Sequence, residues 1–272
     1  MGYTHAAVGA AGATGLALAM NVIPPENFAL ATTAGVISPG NYVIAATAGV
    51  IGGVLMDIDV RDVRKNSGKI TDASRTRWVM IGLIGIFLLS AYFCKFCKFN
   101  ILQEIILSKN EALIGIGLLA VVLCIARMKK GHRTFSHSLL FVFLTAFAIS
   151  FINTSMSVFY LVGSLLHIFI DLFNNPVPGP YEDWNKKHGI WLLYPIVKGK
   201  GIAFGVCKAG GIGNKVIYFV GVVAFIALSV FYCVLLNDVK SIIPIAAVVF
   251  YLLISLHFVR KTSEKELKAK AS

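Results

Sequence analysis

"LVGSLLHIFIDLF", Leu161–Phe173, is apolar enough for a lipid bilayer, yet it carries an imidazole and a carboxylate. His167 and Asp171 stand four residues apart, so a helix places both on one face. Ionisable groups in such a run are costly unless they pair or serve a purpose. The run therefore reads as a membrane helix with a polar face turned toward protein. An internal His–Asp hydrogen bond is the plainer alternative, and a ligand site is the sharper one.

The rest of the chain agrees with a membrane setting. Of 272 residues, 57% are hydrophobic and 14% are charged, against about 25% charged in ordinary soluble domains. Mean hydropathy is +0.78. Eight apolar segments can be marked, at roughly Ala6–Val22, Tyr42–Met56, Trp78–Phe93, Ala112–Ala126, Ser138–Ile152, Val158–Phe173, Val216–Leu236 and Ile242–Val259. Several fall short of the ~20 residues that a straight span needs, so some are expected to be short or re-entrant. Gly and Ala dominate the first two, which suits close helix packing. The expected fold is all-α, a polytopic integral membrane helical bundle forming one domain over residues 1–272. Met1–His5 carries no Lys or Arg, so the first apolar run is expected to be a membrane segment of the mature protein rather than a cleaved signal.

Net charge is +12. In a soluble chain that balance would point to nucleic acid; here its placement decides. With the amino terminus in the cytoplasm and eight spans, 21 of the 25 Lys and Arg fall in the inner loops and the tail from Arg260. Only Lys95, Lys98, Lys109 and Lys240 fall outside. This is the positive-inside bias, and it accounts for most of the charge without a nucleic-acid partner. Both termini are expected on the cytoplasmic side.

Of the five cysteines, Cys124 and Cys233 lie in apolar runs, and Cys94 with Cys97 form a lone C-x-x-C. No second pair completes a zinc site, and no disulfide framework is expected. The glycine-rich stretch Phe204–Gly213 does not match a phosphate-binding loop and reads as a plain loop.

Polar residues beside apolar segments gather in four stretches: His5; Asp57 and Asp59 in "LMDID"; His132 and His137 in "HRTFSH"; His167 and Asp171. Taken singly, the first three read as helix ends or basic loops. Under the charge-derived orientation all four lie at cytoplasmic helix ends, which fits a shared metal site. Asp57 and Asp59 point the same way if the helix exit is extended. Phe135, Trp184, Trp191 and Tyr194 read as packing or interfacial aromatics, and His188 and His257 as loop and interfacial residues.

The blocks "THAAVGAA", "GGVLMDID", "HRTFSHS", "HIFID" and "GIWLLYP" resemble, in this order, those of the YdjM-like family. These are described as LexA-binding, inner-membrane-associated, membrane-bound metal-dependent hydrolases. The resemblance covers about Met1–Pro195; the final two spans and basic tail, 216–272, carry no motif. Where the family usually has proline before its first Asp, this chain has Met56, which bears on the turn more than on the ligands. The resemblance implies a metal-dependent hydrolase of the inner membrane, with His5, Asp57, Asp59, His132, His137, His167 and Asp171 as metal ligands. It is also distantly similar to zinc-dependent phospholipases C. Mixed imidazole and carboxylate donors suit Zn²⁺, with Mn²⁺ or Fe²⁺ as alternatives. Seven ligands exceed the needs of one tetrahedral ion, so more than one ion is expected. The catalytic candidates are Asp57 or Asp59, as metal bridge or base, and Arg133, as a bidentate phosphate contact. Ser136 either orients a ligand or caps the following helix. A site at the inner leaflet favours a phosphoester of a lipid headgroup or a lipid-linked phosphate, so membrane lipids are the expected partners. The other readings are a structural metal site, a metal or proton transporter, and a regulatory protein binding a cytoplasmic partner.

Overall fold

Glycine sets how closely the first helices approach. In the computed structural model, which describes residues 2–22, 39–59, 109–128, 133–178, 187–197, 201–207 and 211–236, helix α1 (Gly2–Val22) packs on α2 (Pro39–Leu55). A Cβ built on Gly9 would overlap the Gly49 carbonyl, and one on Gly53 would overlap the carbonyl of His5. Backbones therefore meet directly, the arrangement that small residues permit in membrane bundles. A 3₁₀ turn, Met56–Asp59, ends α2.

Helices α3 (Lys109–Met128), α4 (Leu139–Ser150) and α5 (Thr154–Phe173) follow. Ser138 caps α4 by accepting from the Phe141 N–H at 3.2 Å. Asn153 caps α5 by accepting from the Met156 N–H at 2.8 Å. Only three residues separate α4 from α5, so the two form an antiparallel hairpin, stitched where Ser157 donates to the Ala146 carbonyl at 2.6 Å. Helix α5 also lies against α2, because Gly163 meets Gly49 and Gly52 meets the Tyr160 carbonyl without room for a Cβ. Helix α6 (Ile212–Leu236) packs on α1 and closes the described bundle. Besides these six helices, the described residues contain one short antiparallel pairing of β1 (Val177–Pro178) with β2 (Lys187–His188).

The surface is apolar where a soluble protein's would be polar. Phe143, Phe147, Phe169, Phe219, Val230 and Val234 are exposed, while Thr14, Thr145, Ser164 and Ser229 are buried. That inversion is what lipid contact selects. Six of the eight apolar segments read from the sequence are helical; Trp78–Phe93 and Ile242–Val259 lie outside the described residues. Two helices, Thr154–Phe173 and Ile212–Tyr232, are long and apolar enough to cross a membrane. Among the rest, α4 has 12 residues and so rises only about 18 Å, short of a ~30 Å hydrocarbon core. Helix α3 carries Lys109, Glu111 and Arg127, and α1 is diluted by Gly, Ala and Thr.

Candidate metal centre

Four helix ends converge at one end of this bundle. His5 stands in the first turn of α1, and Asp57 just past α2 in the 3₁₀ turn. His167 and Asp171 close α5, and Arg133–Ser138 form the turn into α4. His5, Asp57, Arg133, His137, His167 and Asp171 are all buried.

Four donor atoms face one another. His137 Nε2 lies 3.1 Å from His167 Nε2. It lies 3.6 Å from Asp57 Oδ1 and 3.5 Å from Asp171 Oδ2. His167 Nε2 lies 3.7 Å from each of the same two oxygens. Zn–N and Zn–O bonds of ~2.0–2.2 Å give tetrahedral edges of about 3.3–3.6 Å. The five separations, 3.1–3.7 Å, lie close to those edge lengths.

The hydrogen bonds behind these atoms agree. His167 Nδ1 is 2.7 Å from the Gly53 carbonyl oxygen, which can only accept, so Nδ1 carries the proton and Nε2 presents its lone pair. Ser136 Oγ meets His137 Nδ1 at 2.9 Å and orients that ring likewise. Such partners on the far nitrogen are the usual support of a metal-bound imidazole. The 3.1 Å contact between the two Nε2 atoms is closed either by a proton on His137 Nε2 or by a cation shared between them.

His5 completes the cluster differently. Its Nδ1 is 3.7 Å from Asp57 Oδ2 and its Nε2 is 3.4 Å from Asp171 Oδ1. Neither nitrogen has a hydrogen-bond partner, although both are buried. Its ring lies 3.8 Å from that of His167, centroid to centroid. Three-residue sets drawn from His5, His167 and Asp171, and from Asp57, His137 and His167, each bring their ligand atoms close enough to hold an ion. The orphaned His5 nitrogens and the two three-residue donor sets, which share His167, together fit a divalent metal.

Arg133 supplies the positive charge on the other side. Its Nη2 lies 3.2 Å from Asp171 Oδ1, and its Nη1 donates to the Asn175 carbonyl at 3.3 Å. Its backbone sits at φ 64°, a left-handed conformation that side chains seldom adopt. The "GIWLLYP" segment holds it there: the Trp191 N–H donates to the Arg133 carbonyl at 3.2 Å, and the Leu139 N–H to the Leu192 carbonyl at 3.0 Å. Burial pushes the Asp57 carboxyl up, but the imidazoles of His167, His137 and His5 around it outweigh that and hold Asp57 well below the usual carboxylate range. Two carboxylates against one guanidinium leave a buried negative charge, which a divalent cation would reverse.

His5, Asp57, His137, His167 and Asp171 come together, with Arg133 beside them. His132 lies outside the described residues, as does the side chain of Asp59. The extended exit that would have aligned Asp57 with Asp59 is replaced by the 3₁₀ turn, whose three-residue period does not put i and i+2 on one face. Ser136 orients His137, and the helix cap belongs to Ser138 instead. Two asparagines went unnoticed in the sequence. Asn174 donates to Asp171 Oδ1 at 2.9 Å, and Asn214 of α6 donates to Asn174 Oδ1 at 3.2 Å. Asn174 sits three residues past Asp171, a spacing that could have flagged it; Asn214 stands in "GIGNK", which gives no signal.

A mostly helical bundle with a lipid-compatible exterior and a buried His/Asp cluster defines a membrane protein with a metal-type centre. The chain belongs to the YdjM inner membrane protein family, whose model matches residues 1–262. The match extends past Pro195 through α6, the helix that contributes Asn214. Comparison with curated proteins and with solved structures gives no match.

Proposed function

We propose that this protein is a multi-pass metal-dependent hydrolase, one integral domain with both termini in the cytoplasm. Its substrate would be a phosphoester at the cytoplasmic leaflet, either a lipid headgroup or a lipid-linked phosphate. The observation that carries this reading is the set of 3.1–3.7 Å separations among His137 Nε2, His167 Nε2, Asp57 Oδ1 and Asp171 Oδ2. These four side chains would hold the ion, Zn²⁺ first by donor chemistry, with Mn²⁺ or Fe²⁺ as alternatives. When bound, such an ion supplies Lewis acidity and a water that ionises near neutral pH.

The protein's own groups would do the rest. Asp57 keeps one oxygen, Oδ2, turned toward His5 rather than toward the His137–His167 pair. As a carboxylate that stays ionised, it can accept a hydrogen bond from the attacking water and orient it. Arg133 Nε has no hydrogen-bond partner and is the donor offered to a phosphate oxygen. Asn174 and Asp171 hold the guanidinium side of the site in place.

Metal analysis of detergent-purified protein tests the reading, with His137→Ala and Asp171→Ala alongside. At least one tightly held ion per chain is expected in wild type and a clear loss in the variants; equal content in all three would sink the metal claim. Release of phosphate or phosphorylated headgroup from inner-leaflet lipids then tests hydrolysis. The burial of every described site residue favours one second reading, a structural metal. In that case metal removal would lower the melting temperature while wild type, fully loaded, released no product from any lipid offered.

A further inference from the structure

Residues 189–197 and 201–207 cover the metal end of the bundle without forming a helix. One limb is pinned to the Arg133 turn through Trp191 and Leu192. The other is pinned to the end of α5, where the Phe204 N–H donates to the Leu172 carbonyl at 2.7 Å and the Cys207 N–H to the Phe173 carbonyl at 2.8 Å. Ile190 and Ile202 exchange both backbone hydrogen bonds and tie the limbs together. This is a fixed strap rather than a loose connection.

Its outer side is oily. Leu193, Ile196, Ile202, Phe204 and Val206 are exposed, as is Ile212 at the start of α6; Ile196 reaches 89% and Val206 71%. The patch continues into the apolar faces of the helices. The Phe204 ring lies 5.4 Å from that of Phe173, which lies 5.1 Å from that of exposed Phe169 on α5. In sequence, residues 186–215 carry six lysines and no Asp or Glu. Apolar side chains interleaved with lysines are the composition of a segment lying in the headgroup region of an anionic leaflet.

We propose that the strap, residues 189–197 and 201–207, is seated in the membrane interface, with Ile196 and Val206 among the acyl chains, and that the lysine-rich composition of residues 186–215 suits it to an anionic leaflet. The occupant of this face is a phospholipid leaflet containing phosphatidylglycerol or a like anionic lipid. The strap then holds the Arg133 turn, and with it the metal end, at headgroup level. The seating stands apart from the metal reading, because neither its residues nor its chemistry involve the His/Asp cluster.

Photocrosslinking tests it on the full chain in nanodiscs of phosphatidylcholine and phosphatidylglycerol in equal parts. p-Benzoylphenylalanine replaces Ile196 or Val206, both exposed enough that folding is undisturbed, and Val220 on α6 calibrates the yield. Phospholipid adducts are expected at both strap positions. They should be enriched in phosphatidylglycerol by about fivefold, the factor one lysine contributes at an anionic surface. A folded protein that gives no lipid adduct at 196 and 206, or gives a protein adduct instead, overturns the proposal. Lipid adducts without headgroup preference overturn its electrostatic half. The readout needs neither metal nor turnover, so a metal-free protein would leave it standing, and a failed cross-link would leave the metal reading untouched.

Discussion

The bundle holds buried polar groups in two regions, and they are finished differently. Away from the metal end, Tyr42 donates to Ser229 Oγ at 2.8 Å, and Ser229 in turn to the Phe225 carbonyl at 2.6 Å. Thr14 and Thr145 each donate to a carbonyl one turn earlier at 2.8 Å. Tyr160, whose hydroxyl has no hydrogen-bond partner, is the exception among them. These bonds close within the protein, as apolar surroundings require. At the metal end, by contrast, buried carboxylates, imidazoles and a guanidinium gather, and His5 has both nitrogens unmatched. A polar group that closes on its neighbours is explained by stability. A set whose donor atoms converge while a buried imidazole among them stays unmatched has the chemistry to take a ligand.

The largest expected effect comes from breaking the open region at Asp171. Asp171→Ala removes a metal ligand and strands Arg133, whose Nη2 pairs with it at 3.2 Å. A buried charge left without its partner costs about 3–5 kcal/mol, so the variant should lose its metal and denature far more readily than wild type. Asp171→Asn keeps the shape and removes the charge. It should recover part of the stability and none of the metal, measured by thermal denaturation beside metal content. Full metal occupancy in either variant would erase the distinction between the regions.

Gly53→Ala strikes the scaffold rather than a ligand. The added Cβ overlaps the His5 carbonyl, and the Gly53 carbonyl accepts from His167 Nδ1 at 2.7 Å. Forced overpacking costs about 1–3 kcal/mol, and disturbing a metal-bound imidazole's support lowers affinity by about 10–100-fold. Asn174→Ala removes the 2.9 Å donor to Asp171 Oδ1. It should fall in the same range for metal affinity with a smaller loss of stability, read by competition with a fluorescent chelator. A stability loss with unchanged affinity in both would make these residues packing alone.

Acid should empty the site through its imidazoles. Asp57 is held well below the usual carboxylate range. Its contribution to folding is therefore complete above its unfolded pKa and is lost only as pH falls through its lowered folded value. Imidazoles protonate near ~6.5 in ordinary settings and cannot bind metal once protonated. Metal release should therefore begin between about pH 6.5 and 5, while Asp57 remains ionised. Release only below about pH 4, where ordinary carboxylates titrate, would make the carboxylates the controlling ligands.

What the sequence revealed follows the chemistry of each residue. His167 and Asp171 could be read because they interrupt an apolar run at helical spacing. His5, Asp57 and His137 were legible only jointly, through the charge count that placed their helix ends on one side. Asn214 was invisible because it reaches the site from a helix some 40 residues beyond Asp171, on a polar side chain common in any loop. The Gly53 contribution was invisible for a different reason: its carbonyl is a group that every residue has. Which of the helices cross the membrane was the least legible feature. A Gly/Ala-rich run such as α1 packs too closely to need the hydropathy by which lipid-facing helices are recognised.

The smallest effect belongs to the closed region. Tyr42→Phe deletes one hydrogen bond to Ser229 and keeps the ring stacked on Tyr232 at 4.0 Å. Ser229 still donates to the Phe225 carbonyl, so its own donor is not stranded. The expected loss is about 0.5–1.5 kcal/mol, with metal content unchanged, seen by denaturation and metal analysis of one preparation. If Tyr42→Phe released metal, the two regions would be a single coupled network, and closure of hydrogen bonds would no longer distinguish scaffold from site. If it left both quantities unaltered, the Tyr42–Ser229 bond would contribute nothing measurable, and the closed region's stability would reside in the glycine-mediated packing of α1, α2 and α5 alone.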